Sequence, residues 1–130
     1  MMLRFLLILC VLLVATSANA VVPSQERPVV VLRALDKMTA RVEEIELPVG
    51  QTIQFGTLGI VARTCRVTLP EEAPPESAAY LEISEVKPGA RSVSVFNGWM
   101  FASSPALSAM AHPIYDIWVT GCKDKAAPGK

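Results

Sequence analysis

Short apolar segments separated by turn residues are the feature that most constrains the fold of this chain. Residues 29–35 are β-branched and apolar on both faces, which is typical of a strand covered on both sides. Residues 52–55 and 79–84 alternate between apolar and polar side chains, as half-buried strands do. Turns are expected at residues 48–50 and 87–89, which contain glycine and proline. The pattern predicts a mainly β domain: a small antiparallel sandwich or barrel, with one short helix and one disulfide.

Two of the predicted strands change the parity of their apolar residues, which indicates a β-bulge. In residues 58–69 the apolar residues begin at even positions and end at odd ones, so we expect a bulge near Arg63. Residues 41–47 show a similar change, which predicts a second bulge near Glu43 and Glu44. Such bulges bend strands at the corners of small sandwiches and barrels.

The pair Asn97–Gly98 is the strongest hairpin signal in the chain. Asparagine followed by glycine suits the two-residue turn that joins neighbouring antiparallel strands. Residues 99–101 are therefore expected to return antiparallel to residues 93–95.

A short helix is predicted over residues 104–110. Ser104 suits its N-cap and Pro105 its first position, and the sequence His112–Pro113 must end it. A last strand over residues 114–120 then leads towards the C-terminal cysteine.

The first twenty residues have the pattern of a secretory signal peptide. Arg4 gives a positive start, residues 5–15 are apolar, and residues 18–20 supply the small-x-small site for cleavage after Ala20. This eleven-residue run is too short to cross a bilayer, because a spanning helix needs about 20 residues. We therefore expect a periplasmic protein with no stable membrane anchor after cleavage. The alternatives are an uncleaved anchor and a lipid on Cys10, which lacks the small neighbours of a lipobox.

The rest of the chain divides into one domain and two short flanks. Residues 21–28 mix proline, serine and charge, so we expect a mobile lead-in there. Residues 29–122 suit a single β domain with one modest core, and residues 123–130 a disordered polar tail. Loss of Arg4 leaves eleven basic side chains against twelve acidic ones, and they form no basic patch. This charge pattern does not suit a nucleic-acid binder.

Two cysteines, Cys65 and Cys122, remain after the predicted cleavage. An even pair in an exported chain is best explained by one structural disulfide. The chain-entropy estimate for a loop of this size is about 4 kcal/mol, which is comparable with the net stability of a small domain. A redox-active or metal-binding pair is the alternative, although the chain has no C-x-x-C spacing and only one histidine for a zinc site. No metal and no other cofactor is expected.

Ser103 or Ser104, His112 and Asp116 offer the three residue types of a serine triad. They lie within fourteen residues of one another, and no glycine-flanked nucleophile is present. Ser104 instead suits a helix cap. His112 suits a helix end, where its ring would bond nearby carbonyl groups.

Trp99, Glu82 and Asp116 are the residues that a glycan-binding or glycan-hydrolysing domain would use. Tryptophan can stack on a sugar ring, and a glycosidase needs two carboxyls about 5 to 9 Å apart. At alternating strand positions, however, aromatic side chains are more often part of the core. Asp116 lies in an apolar strand, where a carboxylate must be hydrogen-bonded, paired or at a sheet edge. Arg63 and Arg66 are the candidate partners, because Cys65 is expected beside Cys122. The tentative binding residues are Trp99, Ser103, Ser104, His112 and Asp116.

A series of residues within 29–122 resembles one bacterial family. In order, the matching residues are Leu35-Asp36-Lys37, Phe55-Gly56, Cys65-Arg66, Ala79-Tyr80-Leu81-Glu82, Gly98 to Leu107, His112-Pro113, Tyr115-Asp116, Trp118 and Cys122. The chain is similar to an exported family of Gram-negative bacteria, mostly alphaproteobacteria, named domain of unknown function 2155. The run GWMFASSPAL at residues 98–107 is the most specific part of the resemblance. Where that family often has a glutamate before the histidine, this chain has Ala111.

The resemblance implies a small periplasmic β domain with its two cysteines in register. It implies no agreed activity and no catalytic residues, and no motif of this chain supports the cellulase-like label that some relatives carry. The residues favour a non-enzymatic domain that binds an envelope protein or glycan, without excluding catalysis. The alternative is an envelope-glycan domain that binds or hydrolyses its ligand.

Overall fold

The computed structural model describes residues 22–72, 74–108 and 110–128, so the predicted signal peptide, residues 1–20, lies outside the described residues. The described chain forms eight strands and one 3₁₀ helix. They are β1 (Gln25–Arg27), β2 (Val29–Asp36), β3 (Arg41–Pro48), β4 (Thr52–Phe55), β5 (Leu58–Val67), β6 (Ser77–Glu85), β7 (Val93–Phe101), the 3₁₀ helix (Pro105–Ser108) and β8 (Tyr115–Lys123). Within these ranges no helix is long and apolar enough to span a membrane.

The strands pair into two antiparallel sheets. The large sheet has the order β1–β5–β6–β7, and β4 shares with β1 the same edge of β5. The small sheet has the order β3–β2–β8. The sheets do not close into a barrel, so the predicted antiparallel β fold is confirmed in its sandwich form.

The core lies between the two sheets and comes from alternating strand positions. In β6 the inward residues Ala79, Leu81 and Ile83 are buried, as the alternating pattern predicts. Val30 and Leu32 of β2 supply the facing surface of the small sheet and belong to the same apolar cluster. Full burial of a large aliphatic side chain stabilises the fold by about 1.5–3 kcal/mol.

The pairing registers confirm one predicted bulge and contradict the other. The register between β5 and β6 shifts across Arg63, which is the extra residue of the bulge. β3 pairs with β2 in one unbroken register, so the bulge predicted near Glu43 and Glu44 is wrong. Val42 explains the error, because it lies on the outer face of the small sheet and is 52% exposed instead of facing the core.

The hairpin predicted at Asn97–Gly98 is wrong. β7 runs through both residues, which pair with Glu82 and Leu81 of β6. A tight hairpin turn requires positive φ at its central residues, and neither residue has it. Residues 86–92 join the two strands instead. The nine-residue β6 supplies a partner along the whole of β7, and this pairing outweighs the local turn preference.

The helix predicted over residues 104–110 is reduced to one 3₁₀ turn. Pro105 begins it, and the Leu107 N–H donates to the Ser104 carbonyl oxygen over 3.0 Å. β7 ends and β8 begins at opposite ends of the sandwich. The connection between them must therefore cover the length of a nine-residue strand such as β7, which is about 30 Å. Seven residues of α-helix would advance only about 10 Å and would leave this connection little slack.

The predicted disulfide joins the two sheets at one end of the sandwich. Cys65 of β5 is bonded to Cys122 of β8, with 5.9 Å between the Cα atoms. Both flanks of the predicted domain contribute to the sheets. Gln25–Arg27, within the predicted lead-in, pairs with β5, and β8 runs one residue past the predicted domain end, to Lys123.

Candidate functional site

A group of polar and aromatic side chains lies at the end of the sandwich opposite the disulfide. This group, here called the His112 cluster, comprises His112, Glu85, Thr57 and Tyr115. Glu85 ends β6, Thr57 lies in the turn between β4 and β5, and Tyr115 begins β8. The cluster therefore links the two sheets through side chains.

Both ring nitrogens of His112 are engaged in hydrogen bonds. Nδ1 accepts the backbone N–H groups of Ile114 and Tyr115, each over 3.1 Å. A nitrogen that accepts from N–H groups carries no hydrogen, so the hydrogen of the neutral ring is on Nε2. Nε2 lies 2.8 Å from Glu85 Oε2 and donates to it. The prediction that this ring bonds carbonyl groups at a helix end is wrong, since it bonds two amides that follow it and a carboxylate of the large sheet.

Glu85 is the anionic centre of the His112 cluster. Thr57 Oγ1 donates to its Oε2 over 2.7 Å, and the Lys87 ammonium group lies 3.7 Å from its Oε1. The Thr57 hydrogen bond, and after it the His112 hydrogen bond, lowers the pKa of Glu85 below its ordinary value. Glu85 is therefore ionised at neutral pH, and this negative charge favours the hydrogen on Nε2 of His112.

Tyr115 packs the His112 cluster against the turn between β4 and β5. Its ring stacks on His112 with centroids 5.2 Å apart and meets Phe55 edge-on at 5.4 Å. Its hydroxyl group lies so close to Gly56 that a Cβ atom there would be 2.1 Å from the phenolic oxygen. Gly56 also has a φ of +57°, so both its conformation and its surroundings require glycine.

The geometry of the His112 cluster links the two sheets at this end of the sandwich and leaves the His112 ring no free nitrogen as a proton acceptor. A general base needs an unprotonated nitrogen within reach of the substrate. The unprotonated Nδ1 of His112 is occupied by two amides, and Nε2 already directs its hydrogen at Glu85. The His112 side chain is also only 5% exposed.

Ser103 belongs to a separate group at the disulfide end of the sandwich. Its hydroxyl group is hydrogen-bonded to one carboxylate oxygen of Glu76. The other oxygen accepts the N–H groups of Ser77 and Ser103 over 3.0 and 3.1 Å. Ser104 is exposed, and its carbonyl oxygen serves the 3₁₀ turn. In the described part of the chain, neither serine is hydrogen-bonded to His112.

Asp116 forms an ion pair with Lys37 on the side of the small sheet. The Lys37 ammonium group lies 3.4 Å from Oδ1, and the two side chains are 40% and 42% exposed. Lys37 also donates to the carbonyl oxygen of His112 over 2.9 Å. The partner predicted for Asp116 is therefore wrong. The two arginines considered for it form other pairs on the large sheet: Arg63 with Glu82, and Arg66 with Glu26.

The outer face of the large sheet carries two neighbouring rows of side chains, here called the aromatic face. The pairing register aligns Thr64, Tyr80 and Trp99 across β5, β6 and β7. The rings of Tyr80 and Trp99 meet edge to face at 5.7 Å. The next row contains Glu82 and Asn97.

The polar side chains of the aromatic face are fixed by hydrogen bonds to other residues of the large sheet. Arg63 donates twice to Glu82 Oε2, over 2.7 and 3.0 Å, and Asn97 donates to Ser94 Oγ over 3.0 Å. Asp116 lies on the other sheet, so Glu82 and Asp116 do not face one cleft. Beside the face runs a shallow groove of about 410 Å³, lined by Glu82, Ile83, Ser84, Ser92, Ser94 and Asn97.

Sequence reasoning identified His112 and Ser103 but missed the carboxylates that bind them. Glu85 and Glu76 each lie 27 residues from their partner, so no local spacing indicates these contacts. Gly56, in the turn between β4 and β5, is a local residue that could have indicated a close contact at this end, because a Cβ atom there would meet Tyr115. Among the residues described, no group of three or more His, Cys, Asp or Glu side chains could hold a metal ion.

The fold and these clusters define a disulfide-linked antiparallel β-sandwich domain. Residues 30–122 match the family described as "Uncharacterized protein conserved in bacteria (DUF2155)", and the chain belongs to this family. It is similar to the uncharacterized protein RP359 of Rickettsia prowazekii, with 36% identity over 89 residues that cover 68% of this chain and 57% of that protein. The chain thus spans little more than half the length of this relative. No solved structure matches the chain.

Proposed function

We propose that this chain is a non-enzymatic interaction domain of the cell envelope. The observation that carries the proposal is that its candidate catalytic side chains are hydrogen-bonded or ion-paired to other residues of the domain. His112 has a hydrogen bond at each ring nitrogen, the Ser103 hydroxyl group is bonded to Glu76, and Asp116 pairs with Lys37. Covalent catalysis needs a nucleophile and a base within hydrogen-bond reach of each other, and these residues form separate pairs instead.

The periplasmic location is part of the proposal and rests on two features. The N-terminal twenty residues have the pattern of a cleaved signal, and the disulfide suits an oxidising compartment. Cell fractionation with mass analysis tests it. An oxidised protein that begins at Val21 in the periplasmic fraction would support the location, and a reduced cytoplasmic protein would contradict it.

Site-specific photo-crosslinking in living cells tests the interaction. One probe replaces Asn97 on the aromatic face, and a matched probe replaces Glu44 on the outer face of the small sheet. Both positions are exposed on strands. The proposal predicts a discrete crosslinked species that depends on the probe position. It fails if the purified chain turns over a cell-wall fragment and the variant His112→Gln abolishes that turnover without unfolding.

The aromatic face supports a second candidate function, the binding of an envelope glycan. Trp99 is half-buried, and its row lies next to the row that holds Glu82 and Asn97. Two residues along a strand span about 7 Å, which is close to the width of a sugar ring. The C–H face of a sugar packs on an aromatic ring, while amide and carboxylate groups bind its hydroxyl groups. We propose binding without hydrolysis, because Glu82 and Asp116 do not share a cleft.

Titration with purified muropeptides tests the second candidate. We expect amide NMR shifts confined to the aromatic face and a rise in melting temperature, because a ligand that binds only the folded state stabilises it. Trp99→Ala is expected to abolish both effects. Trp118→Ala, a matched change on the small sheet, is expected to leave them intact. Muropeptides that change neither the spectrum nor the melting temperature of the unaltered chain would exclude this function.

A further inference from the structure

His112 is a buried titratable side chain whose hydrogen bonds depend on its protonation state. Its side chain is 5% exposed, and that of Glu85, which accepts from Nε2 over 2.8 Å, is 14% exposed. Nδ1 accepts the N–H groups of Ile114 and Tyr115, each over 3.1 Å, and the Tyr115 ring stacks on the imidazole. This arrangement requires a ring with one hydrogen, because only an unprotonated nitrogen can accept.

Acid adds a second hydrogen to an imidazole, and in His112 the position left for it is Nδ1. That hydrogen would face the hydrogens of the Ile114 and Tyr115 amides, so both hydrogen bonds must break when the ring becomes charged. Nε2 keeps its hydrogen, and its bond to Glu85 becomes a stronger, charge-assisted one. The hydrogen bonds from Thr57 and His112 lower the pKa of Glu85, so this carboxylate remains ionised at mildly acidic pH. The charged ring therefore stays on Glu85 and releases the backbone.

Charged groups of both signs surround the ring. Glu85 of β6 contacts it directly, and Asp116 lies at the start of β8. The Lys37 ammonium group lies 2.9 Å from the His112 carbonyl oxygen and 3.4 Å from Asp116 Oδ1, and the Lys87 ammonium group lies 3.7 Å from Glu85 Oε1. The two carboxylates favour a charged ring and the two ammonium groups oppose it. The hydrogen bonds that the second hydrogen must break are those at Nδ1.

The two amides belong to the junction at which the connection from β7 enters β8. The same stretch is attached to the turn after β2, since the Lys37 N–H donates to the Ile114 carbonyl oxygen over 2.8 Å and the Lys37 ammonium group to that of His112. Tyr115 begins β8 and pairs with Asp36, the last residue of β2. These contacts hold the junction on the small sheet, whereas the imidazole fastens it to the large sheet.

We propose that His112 is an acid-sensitive link between the two sheets, which opens when a second hydrogen binds at Nδ1. In neutral solution the ring fastens the start of β8 to Glu85 of the large sheet. At mildly acidic pH the ring stays on Glu85, and the start of β8 separates from it. One proton is taken up on opening, so the ratio of open to closed link rises by up to about tenfold for each unit that the pH is lowered.

Amide hydrogen exchange, followed by NMR from about pH 7.5 to about pH 5 with the disulfide intact, tests the proposal. Each rate is divided by the rate of an unprotected amide at the same pH, so that the ratio reports local opening. We expect the Ile114 and Tyr115 amides to lose protection by about tenfold or more across this range. The amides in the middle of β6, which pairs with a strand on each side, are expected to keep theirs.

His112→Asn is the matched control variant. The asparagine oxygen can accept N–H groups two and three residues ahead, and asparagine does not titrate. Protection of the Ile114 and Tyr115 amides in this variant is therefore expected to be independent of pH. Circular dichroism shows whether the variant folds. If it does not, Glu85→Gln replaces it and is expected to move the loss of protection to lower pH, because the carboxylate that favours the charged ring is gone.

Imidazole ¹⁵N signals, recorded over the same pH range, show when Nδ1 gains its hydrogen. Loss of amide protection that accompanies this gain in the unaltered chain, and that is absent from His112→Asn, would support the proposal. Constant protection down to about pH 5 would overturn it, as would a charged ring with both amides still protected. An equal loss of protection in the middle of β6, or in His112→Asn, would also overturn it, because the opening would then not depend on this ring.

Discussion

Replacement of His112 by alanine is expected to destabilise the sandwich, because the ring serves partners on three sides. The change removes the acceptor for the Ile114 and Tyr115 amides and the donor to Glu85. It also removes the ring on which Tyr115 stacks. The side chain is 5% exposed, so water does not reach the vacated positions freely.

The size of the effect follows from these contacts. A buried donor left without an acceptor costs about 1–3 kcal/mol, and the lower end applies to amides in a connection near the surface. An aromatic pair contributes about 0.5–1.5 kcal/mol beyond the area that it buries. We expect His112→Ala to lower the free energy of unfolding by about 3 kcal/mol, a large share of the total for a small domain.

His112→Asn separates the contributions to this loss. The asparagine side-chain oxygen can accept backbone N–H groups two and three residues ahead, as in an Asx turn. His112 Nδ1 accepts at this same spacing, from Ile114 and Tyr115. The asparagine variant keeps those bonds and loses the bond to Glu85, so it is expected to recover about half of the lost stability.

Urea unfolding at neutral pH, with the disulfide intact, measures these differences. The slope against urea is expected to stay constant while the midpoint falls, since the surface exposed on unfolding does not change. An alanine variant within about 0.5 kcal/mol of the unaltered chain would refute the reasoning. So would an asparagine variant no more stable than the alanine variant.

Three further predictions concern the two linked ends of the sandwich. Gly56→Ala is expected to cost more stability than Gly50→Ala in urea unfolding, because both have positive φ but only Gly56 would place a Cβ atom against Tyr115. Because folding lowers the pKa of Glu85, its ionised carboxylate stabilises the folded state. This contribution is complete when the pH is above the pKa of Glu85 in the unfolded chain, and it is lost as the pH falls through the pKa in the folded chain. Glu85→Gln is therefore expected to flatten the acid side of the stability–pH curve, and an unchanged acid slope would contradict this. Replacement of both disulfide cysteines by alanine is expected to lower the free energy of unfolding by about 4 kcal/mol, and a loss below about 1 kcal/mol would contradict that entropic estimate.

Local patterning predicted the strands well because burial on one face of a sheet imposes a period of two. The bulge at Arg63 could be inferred for the same reason, since the parity of buried residues changes there. The error at Asn97–Gly98 has the opposite cause. A turn preference is local, whereas pairing with β6 is tertiary and extends along the whole strand.

The contacts of the candidate site could not be predicted from local pattern. His112 and Ser103 were recognisable as residue types, but their partners Glu85 and Glu76 are brought to them only by the packing of distant elements. The arginine partners predicted for Asp116 failed similarly. Both arginines point away from the core on the outer side of their sheet, where they meet carboxylates across neighbouring strands.

The most direct test of this account is the position of the hydrogen on the His112 imidazole. The ring links the two sheets through its hydrogen bonds, and we expect it not to transfer protons to a substrate. Long-range ¹⁵N–¹H NMR correlations at neutral pH distinguish the two nitrogens of the ring. We predict a hydrogen on Nε2, which donates to Glu85, and none on Nδ1, which accepts from the backbone. A hydrogen on Nδ1 would contradict the account, because Nε2 would then be a free base beside Glu85.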